Sequence, residues 1–271
     1  MIPVDAQTMF EVAPHFSGEF AAKQAAIVNA VGPVLRPILE ENDINSRLRI
    51  AHFLGQTCVE AAGFRTTEEF ASGDEYEGRT DLGNTQPGDG RRYKGRGLLQ
   101  LTGRANYRAV GKVLGVPLEE NPTLAAEPVL SLRIACQYWK SHQINPACDA
   151  DDLQKVTRSV NGGLNGLDDR RLFTAKAKAV IARLEGIQLS GAQSVGAAQP
   201  GAAMPVLHRG SQGDAVVDLQ QRLRKAGFAA LAVDGDFGPA TEVAVSRFQS
   251  DHNLDVDGIV GDKTWAALKT S

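Results

Sequence analysis

The sequence predicts a mainly α-helical protein in two domains. Three observations carry this. Val233-Asp-Gly-Asp-Phe-Gly-Pro-Ala-Thr241 recurs 23 residues further on as Val256-Asp-Gly-Ile-Val-Gly-Asp-Lys-Thr264, and an internal repeat sets the organisation before any other signal. Residues 186–204 hold no charge and are rich in Gly, Ala, Ser and Gln, the composition of a flexible linker. Most of residues 1–185 carry apolar side chains at helical spacing. The expected division is a domain over 1–185, a linker over 186–204 and a small module over 205–271.

In the first domain, Ala21–Val31 and Val34–Glu41 read as helices, with Pro33 and Pro37 near starts, where proline is tolerated. Ser46–Ala62 is a helix with Leu48, Ile50, Ala51, Phe53, Leu54 and Cys58 on its apolar side. Ala105–Leu114, Pro128–His142, Asp151–Val160 and Arg170–Leu184 complete the helices. Between Gly73 and Gly97 the pattern gives way to a Gly-rich polar stretch, and long irregular loops in compact domains tend to carry function. Leu99 and Leu101 alternate with Gln100 and Thr102, which predicts a short strand with one polar face.

In the module, each Asp-Gly marks a tight turn. Thr241 and Thr264 are placed to cap the helices that follow. Val243, Val245 and Phe248 form the apolar stripe of one helix, Trp265 and Leu268 that of another. Val216, Leu219 and Leu223 give a third, which Gly227 ends as its C′ residue.

Composition narrows the function. Hydrophobic content of 42% and charged content of 23% are those of an ordinary globular protein. A net charge of -3 argues against general nucleic-acid binding, and no apolar run is long enough to insert in a membrane. Met1-Ile-Pro-Val-Asp5 lacks a basic region followed by an apolar run, so no cleaved signal peptide is expected. Cys58, Cys136 and Cys148 fit neither a disulfide framework nor a zinc pattern. The five histidines are scattered, so neither metal nor cofactor is expected. His52 and Cys58, six apart on one helix, point away from each other, against a thiol hydrolase.

Two carboxylates invite chemistry. Glu60 ends a largely buried helix, where an unpaired charge is costly. Glu69 follows nine residues later, and a break at Gly63 would let it fold back to face Glu60. Such a pair across a cleft is what glycosidic hydrolysis requires. The segment Arg91–Arg108 holds Arg91, Arg92, Lys94, Arg96, Arg104 and Arg108 and no acid. It is either a solvated surface or an attractor for an anionic polymer.

Two resemblances follow. Gly210-x-x-Gly213, Leu219-Gln220-x-x-Leu223, Gly227, the two Val-Asp-Gly units, Phe248-Gln249 and Thr264-Trp265-x-x-Leu268 resemble the three-helix peptidoglycan-binding module of cell-wall hydrolases. Phe53-Leu-Gly-Gln-x-x-x-Glu60-x-x-Gly63-Phe64, Glu69, Gly95-Arg-Gly-x-x-Gln-Leu-Thr102-x-x-x-Asn106-Tyr107 and Val160-Asn161-Gly-Gly163 resemble glycoside hydrolase family 19, which contains chitinases and phage endolysins. Asp81–Gly90 ahead of the Gly-Arg-Gly element resembles the endolysin branch.

The resemblance implies a lysozyme-like α-helical catalytic domain that cuts β-1,4 bonds of peptidoglycan with inversion. Glu60 matches the general acid, Glu69 the general base, and Thr102 a residue that helps hold the water. Gln100, Asn106, Tyr107 and Asn161 match substrate-binding positions. Arg170 or Arg171 matches an arginine near the acid, and Arg170 is expected among the substrate-binding residues. Val59 and Ala61 stand where the family commonly has His and Ser or Thr, so the hydrogen bonding around Glu60 must differ. An apolar neighbour would still raise its pKa. The expected partner is bacterial peptidoglycan, and the expected state a monomer made in the cytoplasm that acts on the wall after release. A chitinase, or a non-catalytic wall-binding protein, is the alternative.

Overall fold

Helix α3 (Arg47–Glu60) is the axis of the larger unit: Ile50 through Cys58 are all buried. Ser46 caps its start, accepting from the Arg49 N–H, a contact of about 1 kcal/mol. The computed structural model describes residues 2–193, 204–228, 231–252 and 254–270. They fall into two compact units, Met1–Gly186 and Ile187–Ser271.

The larger unit also holds α1 (Ala6–Val12), α2 (Gly18–Glu41), α4 (Asp89–Arg92), α5 (Arg104–Leu114), α6 (Pro128–Ser141), α7 (Asn145–Asp149), α8 (Leu153–Asn161) and most of α9 (Leu167–Gln193). The larger core joins α1, α2, α3, α6 and α9 through residues such as Val28, Leu35, Phe53, Trp139 and Ile181. A second core, built on Tyr93, Leu101, Tyr107, Leu118 and Ile134, sits under the irregular segment and α5. A Cβ on Gly55 would overlap the Thr174 hydroxyl, so this glycine lets α9 lie directly against α3.

Three expectations need correction. The two helices expected over 21–41 are one, and Pro33 and Pro37 lie inside it. Burial of Ile27, Val28, Val31, Leu35, Ile38 and Leu39 along one face outweighs the missing backbone bonds. The strand expected at 99–102 is a turn: Gln100 has φ of 51°, and the only pairings there are single bridges, Arg96 with Leu101 and with Glu68. The linker expected to begin at 186 is helical as far as Gln193; the part over 194–203 lies outside the described residues.

In the smaller unit, α10 (Asp214–Lys225), α11 (Pro239–Asp251) and α12 (Asp262–Thr270) enclose Val216, Leu219, Phe237, Val245, Phe248, Trp265 and Leu268. Val243 is exposed instead of joining the stripe. Gly227 follows the end of α10 with φ of 108°, as its composition suggests. Thr241 and Thr264 are not caps, because Gly238 caps α11 and both threonines lie inside the first turns. Each serves a glutamine clamp instead. Gln220 donates to Asp234 Oδ1, the Asp236 carbonyl and Thr241 Oγ1, and accepts from the N–H groups of Asp234 and Gly235. Gln249 repeats the pattern with Asp257, Ile259, Thr264 and Gly258. The repeat is thus a helix whose glutamine closes the next Asp-Gly turn.

Candidate active site

Glu60 is the last residue of α3 and its side chain is half-buried. Just beyond it the chain turns sharply, with Ala62, Gly63 and Phe64 all in the left-handed region at φ of 49°, 77° and 61°. Two of these are not glycine, and such strain persists only where the surroundings enforce it. Here Gln24 donates to the Gly63 carbonyl at 2.7 Å, and the Phe64 ring is wholly buried. The turn therefore ends α3 at the carboxylate.

Arg170 reaches Glu60 from α9. Its Nη2 donates to Glu60 Oε1 at 2.5 Å, its Nη1 to Gln56 Oε1 at 2.5 Å, and its Nε to the Asn165 carbonyl at 3.0 Å. Gln56 and Glu60 are one turn apart on α3, so one guanidinium braces both. Arg171 pairs with Asp168, which settles the choice that the sequence leaves open. Arg170 is only 2% exposed and is tied to Glu60 and Gln56, so it braces Glu60 instead of standing free at the surface.

Glu69 is held by different means. Its Oε1 accepts from the Gly95 N–H at 2.6 Å and its Oε2 from the Tyr76 hydroxyl at 3.0 Å. Burial, then the bond to Glu69 and its charge, push the Tyr76 hydroxyl up to about 12, so it remains a donor at neutral pH. The Glu69 N–H donates to the Gly95 carbonyl at 3.0 Å. A Cβ at Gly95 would sit 3.2 Å from Glu69 Cδ and 2.8 Å from Gln100 Oε1; the glycine is needed for the approach of both.

The turn after Gly95 opens on a groove of about 490 Å³ lined by Leu99, Gln100, Thr102, Asn106, Tyr138 and His142, among others. Thr102 Oγ1 donates to the Gln100 carbonyl at 2.8 Å, and Asn106, exposed, donates to the Thr102 carbonyl at 2.7 Å. Gln100 Nε2 donates to the Gly97 carbonyl, which leaves Oε1 buried with no partner among the described residues. Asn161 Oδ1, at the end of α8, is in the same condition. Two buried amide oxygens without donors suit the hydroxyl and amide groups of a sugar. Tyr138 and His142 stack with centroids 3.8 Å apart. Burial, and after it the charge of Glu60, push the Tyr138 hydroxyl up. Tyr138, which feels the charge of Glu60, and Gln100, which meets Glu69 around Gly95, both line this groove.

Tyr107 is not at the surface. It is wholly buried, its hydroxyl donates to the Lys94 carbonyl at 2.7 Å, and its ring meets Tyr93. The motif that carries it is therefore partly a packing motif, and Tyr107 supports the loop from below. The basic stretch is also mostly occupied. Arg91 pairs with Asp74, Lys94 and Arg96 with Glu68, Arg104 with Asp89, and Arg108 with Glu119. Burial pushes the thiols of Cys58 and Cys148 up to about 12 and that of Cys136 higher still, and His52 faces Asp151. Among the described residues no cluster of His, Cys, Asp and Glu is suited to a metal ion.

Gln56, Tyr76 and Tyr138 have no role that the sequence assigns. Gln56 had a signal, its spacing of one helical turn from Glu60. Tyr76 lies in the polar segment, and its contact with Glu69 depends on a loop that has no periodicity.

The comparisons with known proteins bear on this site. Residues 25–163 match the family profile of class I chitinases, glycoside hydrolase family 19. The chain belongs to this family. Residues 212–268 match a second profile, the putative peptidoglycan-binding domain. A family 19 domain-containing protein of Haemophilus influenzae is 42% identical over 101 residues, 37% of this chain and 48% of that one. The zinc D-Ala-D-Ala carboxypeptidase of Streptomyces albus G is 52% identical over 63 residues, 22% of this chain and 24% of that one. The chain thus spans less than half the length of these two relatives. Among solved structures, chitinase C of Streptomyces griseus aligns with 67% of this chain and 77% of its own, with a TM-score of 0.49 and 21% identity. In this family 19 protein, Glu60, Glu69 and the Gly95–Thr102 turn all lie within the matched residues, whereas Arg170 lies beyond them.

Proposed function

We propose that this protein is a peptidoglycan hydrolase of the endolysin kind, which cuts β-1,4 glycosidic bonds of the wall glycan and reaches the wall after release from the cell. What carries this reading is the pair of carboxylates, each fixed by its own support, on a chain that also holds a peptidoglycan-binding domain. Glu60 gives a proton to the glycosidic oxygen. Arg170 holds Glu60 Oε1, which leaves Oε2 to face the leaving group. Glu69, gripped by Gly95 and Tyr76, takes a proton from water, and that water attacks the anomeric carbon from the opposite face. The Thr102 hydroxyl donates to the Gln100 carbonyl and keeps lone pairs to accept a hydrogen from the same water. One displacement with inversion follows, a course that in general calls for carboxyl groups about 6.5–9.5 Å apart. The family's name favours a second reading, a chitinase acting on polymers of N-acetylglucosamine.

The test is hydrolysis of purified sacculi and of chitin oligomers, with mass spectrometry of the products. Glu60→Gln is expected to lower turnover by about 10²–10⁴-fold and Glu69→Gln by about 10²-fold or more, with both variants still bound to sacculi. Reducing ends should appear. Anhydromuramyl products, or an unimpaired Glu69→Gln, would remove the base from the mechanism. Chitin cut and sacculi left whole would favour the second reading.

A further inference from the structure

Arg65 stands in the turn that leads from Glu60 to Glu69, its N–H bonded to the Ala61 carbonyl at 3.0 Å. Its guanidinium lies over three aromatic rings, 4.5 Å from the centroid of Phe20, 5.1 Å from Phe16 and 5.9 Å from Phe70. Phe16 and Phe20 meet edge to face. Phe70 follows Glu69 directly and is 79% exposed, and Phe20 is 50% exposed. Among the described residues Arg65 takes part in no ion pair, and its buried Nε has no hydrogen-bond partner.

This is the reverse of the segment 91–108, where Arg91, Arg96, Arg104 and Arg108 each meet a carboxylate of the same chain. A guanidinium keeps its charge throughout the physiological range. Rings stacked on its faces remove water from them and attract the cation. What is left for binding is the N–H edge, whose fork matches a carboxylate. Large apolar side chains left in water around an unpaired cation suit a ligand with a carboxylate and apolar surface close together. Glu69 lies four positions after Arg65, a reach of at most about 14 Å along the chain. A substituent on the sugar being cut, or on its neighbour, comes within range.

We propose that Arg65, rimmed by Phe20 and Phe70, is a subsite for a carboxylate carried on the glycan by its lactyl-peptide substituent, and that it selects peptidoglycan over uncharged glycans. This rests on the functional reading above and specifies how that substrate is told apart. On strands that bear stem peptides the lactyl carboxyl is an amide and the anion is a carboxylate of the peptide; on strands freed of them it is the lactyl carboxylate itself.

The test measures kcat/KM of the full chain and its Arg65→Gln and Arg65→Lys variants. The substrates are native sacculi, the same sacculi with their carboxylates amidated, and glycan strands freed of stem peptides so that the lactyl carboxylate is bare. In Arg65→Gln the ratio of native to amidated is expected to fall about tenfold or more, as for the loss of one charge-assisted bond. Arg65→Lys keeps the cation and should retain part of the ratio. An equal loss on peptide-free strands shows that the site takes the bare lactyl carboxylate as well, and a loss confined to native sacculi restricts it to the stem peptide. An unchanged ratio in Arg65→Gln, or equal losses on native and amidated sacculi, overturns the subsite. A full-length protein that leaves native sacculi uncut overturns the functional reading instead.

Discussion

At the scale of single residues, Gly95 is the most exacting position of the site. Its φ is an ordinary one, so backbone strain is not at issue; space is. A Cβ there would press on the Glu69 carboxyl carbon at 3.2 Å and on Gln100 Oε1 at 2.8 Å. Gly95→Ala is expected to lower kcat about tenfold or more, since small displacements of a catalytic group are expensive, with a melting temperature close to that of the unaltered protein. Equal kcat values would show that the carboxylate is not held where the chemistry needs it. His52 makes a different prediction. Burial first, against the opposing pull of Asp151, lowers its pKa below 6.5. The unfolded chain then binds the proton before the folded one does. The stability is present above about pH 6.5 and is lost as the pH falls through the folded-state value. Melting curves from pH 8 to 5 should decline on the acidic side, and His52→Gln should flatten that decline; parallel curves would exclude His52 as its source.

At the scale of elements, what the sequence reveals depends on whether the determinant is local. Helices α3, α5 and α6 are legible because a long apolar face sets their period, and their ends differ from expectation by one or two residues. The division of α2 at its prolines fails because packing along the whole helix outweighs a local rule. The 99–102 segment misleads because Leu-Gln-Leu-Thr alternates like a strand, whereas the positive φ at Gln100 comes from closure onto Gly97. Of the site, Glu60, Glu69 and Gln100 are legible in motifs. Arg65 is not, because two of its three rings come from the N-terminal segment, far along the chain. The repeat is legible, but its clamp is not, since each glutamine closes a turn on the following unit. Gln249 is 1% exposed and makes five hydrogen bonds, so Gln249→Ala strands several buried groups. A destabilisation of about 3 kcal/mol or more is expected. Hydrogen exchange should rise over residues 231–268 and stay unchanged over α3; protection equal to the parent's would mean that the clamp is dispensable.

At the scale of the whole molecule, the larger unit holds every residue assigned to the reaction, and the smaller one holds none. Removal of residues 205–271 is therefore expected to leave kcat on soluble glycan fragments within about twofold. Sedimentation with sacculi should weaken, and lysis at low enzyme concentration should slow about tenfold or more, because tethering acts through local concentration. Lysis that does not depend on the module at any concentration would remove its assigned role. The boundary on the other side of the reaction is less obvious. Residues 25–163 match the family, yet the guanidinium that orients the acid comes from position 170, against a helix that Gly55 allows to approach. A recombination junction at residue 163 would pass on both carboxylates and leave behind the group that aims one of them. A junction placed after Thr174 would instead hand on the carboxylates together with the guanidinium that braces one of them.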